Sequence, residues 1–93
     1  MESTDKIIIK EALDAIMKKD STLTNNQYIA LLTRYQMLRE SYERNTGSRF
    51  FIAEKDNEEL KGIITFLFAS CEITRDQMEK LWDMVDTIRG ENA

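Results

Sequence analysis

Between Lys61 and Glu72 the chain runs ten residues without a charge, and this stretch limits the possible folds more than any other. Read as a helix at about 100° per residue, Leu60, Ile63, Ile64, Leu67 and Cys71 share one stripe, and Phe66 and Phe68 widen it on either side. A helix apolar around most of its circumference has to be buried. The segment is shorter than the roughly 20 residues needed to cross a bilayer, so it is expected to be a core rod shielded by the other helices, with no membrane insertion.

A chain of 93 residues suits a single domain spanning 1–93 with one modest core. With no proline, three glycines and 42% hydrophobic residues, it favours long helices and short turns over strands. Cys71 is the single cysteine, so no internal disulfide can form, and its place on the apolar stripe predicts burial. A reduced, cytoplasmic setting is expected. The opening MESTDKIIIK has neither a basic leader nor a long apolar run, so no secretory signal is expected.

The periodicity predicts an all-α, antiparallel four-helix bundle. The first helix is expected from about Ser3 or Thr4 to Lys19, with Ile9, Ala12, Leu13 and Ile16 inward, Lys18 and Lys19 facing the helix dipole, and a turn at Asp20-Ser21-Thr22. The second opens on Leu23-Thr24-Asn25-Asn26-Gln27-Tyr28, a capping box in which Leu23 can staple onto Tyr28. Leu31, Leu32, Tyr35, Leu38 and Tyr42 then follow helical spacing, and Gly47, helped by Asn45, should close the helix. Ser48 to Lys55 reads as a loop or short helix. The third helix is expected to begin at Asp56 as cap with Glu59 as its partner, and Gly62 within it suggests close packing or flexibility. The fourth repeats the earlier opening at Ile73-Thr74-Arg75-Asp76-Gln77-Met78, runs along Leu81, Trp82, Val85 and Ile88, and should stop at Gly90. Turns this short make neighbouring helices antiparallel.

The residues point away from catalysis. There is no histidine, which removes the usual zinc sets and any activated serine or cysteine, and no cofactor is expected. Glu79, Asp83 and Asp86 lie one turn apart and could face a cation, but no loop supplies the converging oxygens that calcium prefers, so a solvated acidic face is expected. Net charge is −4, with ten acids and six bases in residues 47–93, which argues against nucleic acid. Tyr28, Tyr35 and Tyr42 recur every seven residues. They could stack bases, but the edge of the core, with hydroxyls in water, is the simpler place for them. A ligand pocket, if present, would gather Tyr28, Tyr35, Phe66 and Trp82. Ile29 and Met37 point away from the main stripe and would leave apolar surface exposed.

The helices KIIIKEALDAI, YIALLTRYQMLRESYERN and ELKGIITFLFAS, the last leading at once into EITRDQMEKLWDMVDTI, resemble those of the immunity proteins that protect lactic acid bacteria and streptococci against pediocin-like (class IIa) bacteriocins. The most specific part is the apolar third helix followed by an LT-x-x-Q type helix start. The resemblance implies a cytosolic, non-catalytic four-helix bundle, monomeric or weakly dimeric. It would guard the cell at the mannose phosphotransferase permease when a bacteriocin engages that receptor. It also implies that the fourth helix sets specificity, which makes Arg75, Glu79, Lys80, Asp83, Asp86, Arg89 and Glu91 the candidate contacts. The competing expectation is a small phage or mobile-element protein that modulates a host protein through a helical face.

Overall fold

The computed structural model describes residues 2–17 and 23–92, and the side chains of 9–17 and 23–91. It contains α1 (Glu2–Met17), α2 (Asn25–Arg44), α3 (Phe50–Ala69) and α4 (Arg75–Asn92), with a 3-10 turn at Gly47–Arg49 leading into α3. The expected Lys18 and Lys19 dipole contacts and the turn at 20–22 lie outside the described residues.

Two helices start where their own side chains dictate. The Thr24 hydroxyl accepts the Gln27 backbone N–H at 3.1 Å, and the Gln27 side-chain oxygen accepts the Thr24 N–H at 2.8 Å. Thr74 and Gln77 repeat this at the same two distances. Each box supplies two of the partners that a first helical turn lacks. The other end of α2 closes on Asn45, whose backbone N–H and side-chain amide both donate to the Ser41 carbonyl at 2.9 Å. Gly47 does take the left-handed conformation, at φ 61°, but it opens the 3-10 turn instead of closing α2.

Leu13, Tyr35, Leu38, Tyr42, Leu60, Ile64, Leu81 and Val85 fill the centre of an all-α four-helix bundle, each at most 2% exposed. Burying such a side chain contributes roughly 1.5–3 kcal/mol. Chain neighbours run antiparallel, so α2 and α4 run parallel, and these two approach across the diagonal. There the buried Tyr35 hydroxyl donates to the Leu81 carbonyl at 2.7 Å. Helices α1 and α3 lie on opposite sides of this pair, and among the described residues they do not reach each other.

That arrangement corrects several expectations. Helix α3 is shielded by α2 and α4, not by three neighbours, so one face stays in solvent: Phe66 is 67% exposed and Phe51 59%. Because α2 and α4 close across the diagonal, α3 is left with two neighbours, and its apolar run does not change that geometry. Nothing packs on Gly62, where the space a Cβ would occupy is open. Helix α3 also begins six residues before Asp56. Ala53 is fully buried and the Phe50 ring lies 5.5 Å from that of Tyr42, so tertiary packing recruits the segment expected to be a loop. Asp56 is then mid-helix and accepts the Ser41 hydroxyl at 2.6 Å rather than capping.

The end of α3 differs too. Cys71 is left-handed at φ 60° and exposed, with its N–H donating to the Phe68 carbonyl and that of Glu72 to the Leu67 carbonyl, both at 2.9 Å. This is a Schellman closure, and its reversal of the backbone turns Cys71 off the stripe that continued helical geometry would have buried. Helix α4 runs through Gly90 to Asn92, and Ser3 and Thr4 lie inside α1 rather than before it.

Candidate interaction surfaces

Because α4 contacts α1 on one side and α3 on the other, its seven candidate residues divide among three directions. Five of the seven are held by ion pairs. Arg75 pairs with Glu79 at 3.4 Å, and Lys80 with Asp76 at 3.0 Å, each one turn along the helix. Asp86 reaches across to Lys61 of α3 at 2.7 Å. Exposed pairs of this kind add little stability and restrain the side chains that form them.

Arg89 is more firmly committed. Its Nε donates to both Glu54 carboxylate oxygens, at 3.0 and 2.9 Å, and its guanidinium lies 5.5 Å from the centre of the Phe50 ring. Glu54 also accepts the Tyr42 hydroxyl, and that hydroxyl in turn accepts the Asn57 side-chain amide at 3.0 Å. The Arg89 hydrogen bond, then that of Tyr42, holds the Glu54 carboxyl below its ordinary pKa. Burial first, and the Glu54 hydrogen bond second, push the Tyr42 phenol up to about 12. Arg89 thus ties the end of α4 to the α2–α3 corner rather than standing free for a partner.

Lys80, Asp83 and Glu91 border a groove between α1 and α4 floored by Ile9, Ala12, Met84 and Ile88. Among the described residues Asp83 and Glu91 have no ion-pair partner. The seven residues do not form one patch. Glu79, Asp83 and Asp86 do not converge either, and no cluster among the described residues is arranged to hold a metal.

The tyrosines part company with one another. Tyr35 and Tyr42 are fully buried, so their hydroxyls meet protein instead of water. Tyr28 is half-buried at the α1–α2 seam and donates to Asp14, which also pairs with Lys10 at 3.0 Å. They form no stacking platform. Nor do Tyr28, Tyr35, Phe66 and Trp82 gather around a pocket: Tyr35 is in the centre, Phe66 is on the outer face of α3, and Trp82 packs against the core.

A second concave surface lies between α2 and α3. Two depressions of about 240 Å³ each adjoin at Arg34. One is lined by Met37, Ser41, Arg44, Ile52 and Asp56, the other by Gln27, Ala30, Ile63 and Leu67. Met37, 54% exposed, leaves apolar surface along it, while Ile29 is 49% exposed farther round α2 and Phe66 lies on the outer face of α3, outside the lining of both depressions. Sequence reasoning singled out Ile29 and Met37 from their angular position and missed Phe66. The missing signal was the bundle's connectivity, which decides which face of α3 remains uncovered.

No helix among the described residues is long and apolar enough to cross a membrane. Comparison of the chain with protein-family models, with curated proteins and with solved structures finds no match.

Proposed function

We propose that this chain is a non-catalytic immunity protein that protects a cell against a pediocin-like bacteriocin by docking its outer surface on the membrane receptor complex from the cytosol. The observation that carries a surface-binding role is the α2–α3 groove, where Met37 remains open to solvent in a bundle whose centre is filled, with Phe66 exposed on the adjoining outer face of α3. Large apolar side chains along a groove are what a helical partner uses as anchors. The biological setting comes from the resemblance of the four helices, above all the apolar α3 leading at once into the Thr74–Gln77 box, to that family. The mannose phosphotransferase permease is the receptor this reading implies.

Expression in a bacteriocin-sensitive strain tests it directly. Survival against at least one pediocin-like peptide is the expected result, and undiminished killing across a panel of them would sink the reading.

The exposure of Met37 and Ile29 equally favours a second reading, in which a small phage or mobile-element protein modulates a host protein through α2. Affinity capture from host lysate separates the two: permease subunits support the first, and a polymerase or nuclease supports the second.

A further inference from the structure

We infer that the α2–α3 groove receives one amphipathic helix of a partner protein, with an apolar stripe flanked along one edge by two carboxylates about eleven residues apart. The inference rests on the surface-binding reading above and specifies the chemistry of its partner. The groove extends from Gln27 to Asn45 along α2, 18 residues, which at 1.5 Å per residue is about 27 Å, or five turns of helix. Its floor and α3 side offer Ile63, Leu67 and Ile52, with Met37 midway, so the occupant must be apolar along its inner face.

The polar edge sets the rest. On the α2 rim Arg44 is exposed and has no ion-pair partner among the described residues, while the half-exposed Arg34 meets Glu59 of α3 at 3.8 Å, a long, exposed pair that a partner carboxylate has to displace. The two guanidiniums are ten residues apart, about 15 Å along the axis, close to three helical turns. A helix lying along the groove meets both with carboxylates placed three turns apart on one edge, and the planar guanidinium suits that bidentate contact. The opposite rim carries Asp56 and Glu59, which disfavours a helix presenting carboxylates on both edges. This fixes which way round the stripe lies.

The probe is a synthetic 18-residue helical peptide with a leucine stripe and glutamates eleven residues apart, compared with the same peptide carrying lysine in place of the glutamate that faces Arg44. Binding of the glutamate peptide to the full chain is expected to move the backbone amide resonances of Ala30, Arg34, Met37 and Ile63. Arg44→Glu, an exposed change that leaves the core intact, should weaken it at least tenfold. The peptide with lysine at the position facing Arg44 should recover that loss on the Arg44→Glu chain, a swap that nonspecific leucine adhesion would not reproduce. Perturbation confined to the α1–α4 groove, or no recovery by charge reversal, overturns the inference. So does a dimer in sedimentation that Met37→Asp dissolves, which would give the groove to a second copy.

In the protection assay, a chain carrying both Met37→Asp and Arg44→Glu should lose activity. Full protection by that variant overturns the groove as docking site and leaves the immunity reading standing. Failure of the unmodified chain to protect sinks the immunity reading, while the peptide titration still decides the groove.

Discussion

The two ends of the bundle solve the same problem with different chemistry. At one end α2 and α4 begin and α3 stops, and the helix termini are tied by hydroxyls, amides and backbone groups: the Thr24–Gln27 and Thr74–Gln77 boxes, and the Gln77 side-chain amide donating to the Ile16 carbonyl at 3.4 Å. At the other, α2 and α4 end and α3 begins, and a connected set of Tyr42, Glu54, Asn57 and Arg89 does the tying. A capping box is local and can form in any chain that reaches that helix start. The second set exists only once three helices have met.

The sharpest way to break the contrast is Tyr42→Phe. The ring stays buried, but the Asn57 amide, itself 6% exposed, loses its acceptor and Glu54 loses a donor. Leaving a buried amide unpaired costs about 1–3 kcal/mol. The expected result is a loss near 2 kcal/mol in chemical denaturation, with helix content unchanged at low denaturant. A loss below about 0.5 kcal/mol would mean that water or a neighbour satisfies Asn57 and that the set is not a unit.

The same contrast explains what could be read from the chain. Both boxes were legible because every residue needed lies within four positions, and the two Thr–Gln pairs adopt the geometry their spacing predicts. The inward faces of α1, α2 and α4 were legible from period alone, since Leu13, Tyr35, Leu38, Leu81 and Val85 recur at helical intervals. The polar end was not, because Tyr42, Glu54, Asn57 and Arg89 come from three helices and have no shared motif. Arg89 looked like a free contact for that reason. Phe66 and Cys71 were misplaced for a related one: burial of an apolar residue depends on where neighbouring helices stand and where the backbone reverses, and a hydropathy pattern contains neither. The candidate groove was half legible, through Met37, because only its α2 rim projects from a helix whose core face is unambiguous.

The two boxes also differ from each other, on a smaller scale. Gln77 is 5% exposed and reaches Ile16 of α1, whereas Gln27 is half-buried and its amide donates to the Glu72 carboxylate at 2.7 Å. Thr24→Ala and Thr74→Ala should therefore cost the same, about 1 kcal/mol each, because their local bonds are identical. Gln77→Ala should cost about 1 kcal/mol as well, while Gln27→Ala should cost only a few tenths, as water replaces a partner at the surface. Urea titrations of the four variants check this. Equal losses for the two glutamines would show that the deeper burial of Gln77 and its contact with Ile16 add nothing beyond what Gln27 has with Glu72.

The smallest expected effect is the most diagnostic, because it distinguishes charge from shape. The carboxyl of Glu54 titrates below its ordinary value of 4.5 in the folded chain, through the Arg89 hydrogen bond first and the Tyr42 hydrogen bond second. A group whose folded pKa is depressed contributes stability that is present above the unfolded value and is lost as pH falls through the folded one. The Tyr42 phenol moves the other way, from 10.0 to about 12, so its contribution is complete below pH 10 and is lost as pH rises toward 12. The charged end is therefore firm between roughly pH 5 and pH 10 and weakens on both sides. The Thr–Gln boxes contain only hydroxyl, amide and backbone groups, which do not titrate over that span. Glu54→Gln should lower Tm modestly at pH 7 and flatten the acid limb of the Tm profile, while Gln77→Ala should lower the whole curve without changing its shape. Glu54 and Arg89 are both partly in solvent, so raising salt should shrink the Glu54→Gln difference and leave the Gln77→Ala difference as it was. An acid limb unaltered by Glu54→Gln would assign the pH dependence to other carboxylates and leave Tyr42 and Asn57 as a neutral hydrogen bond that α4 happens to cover.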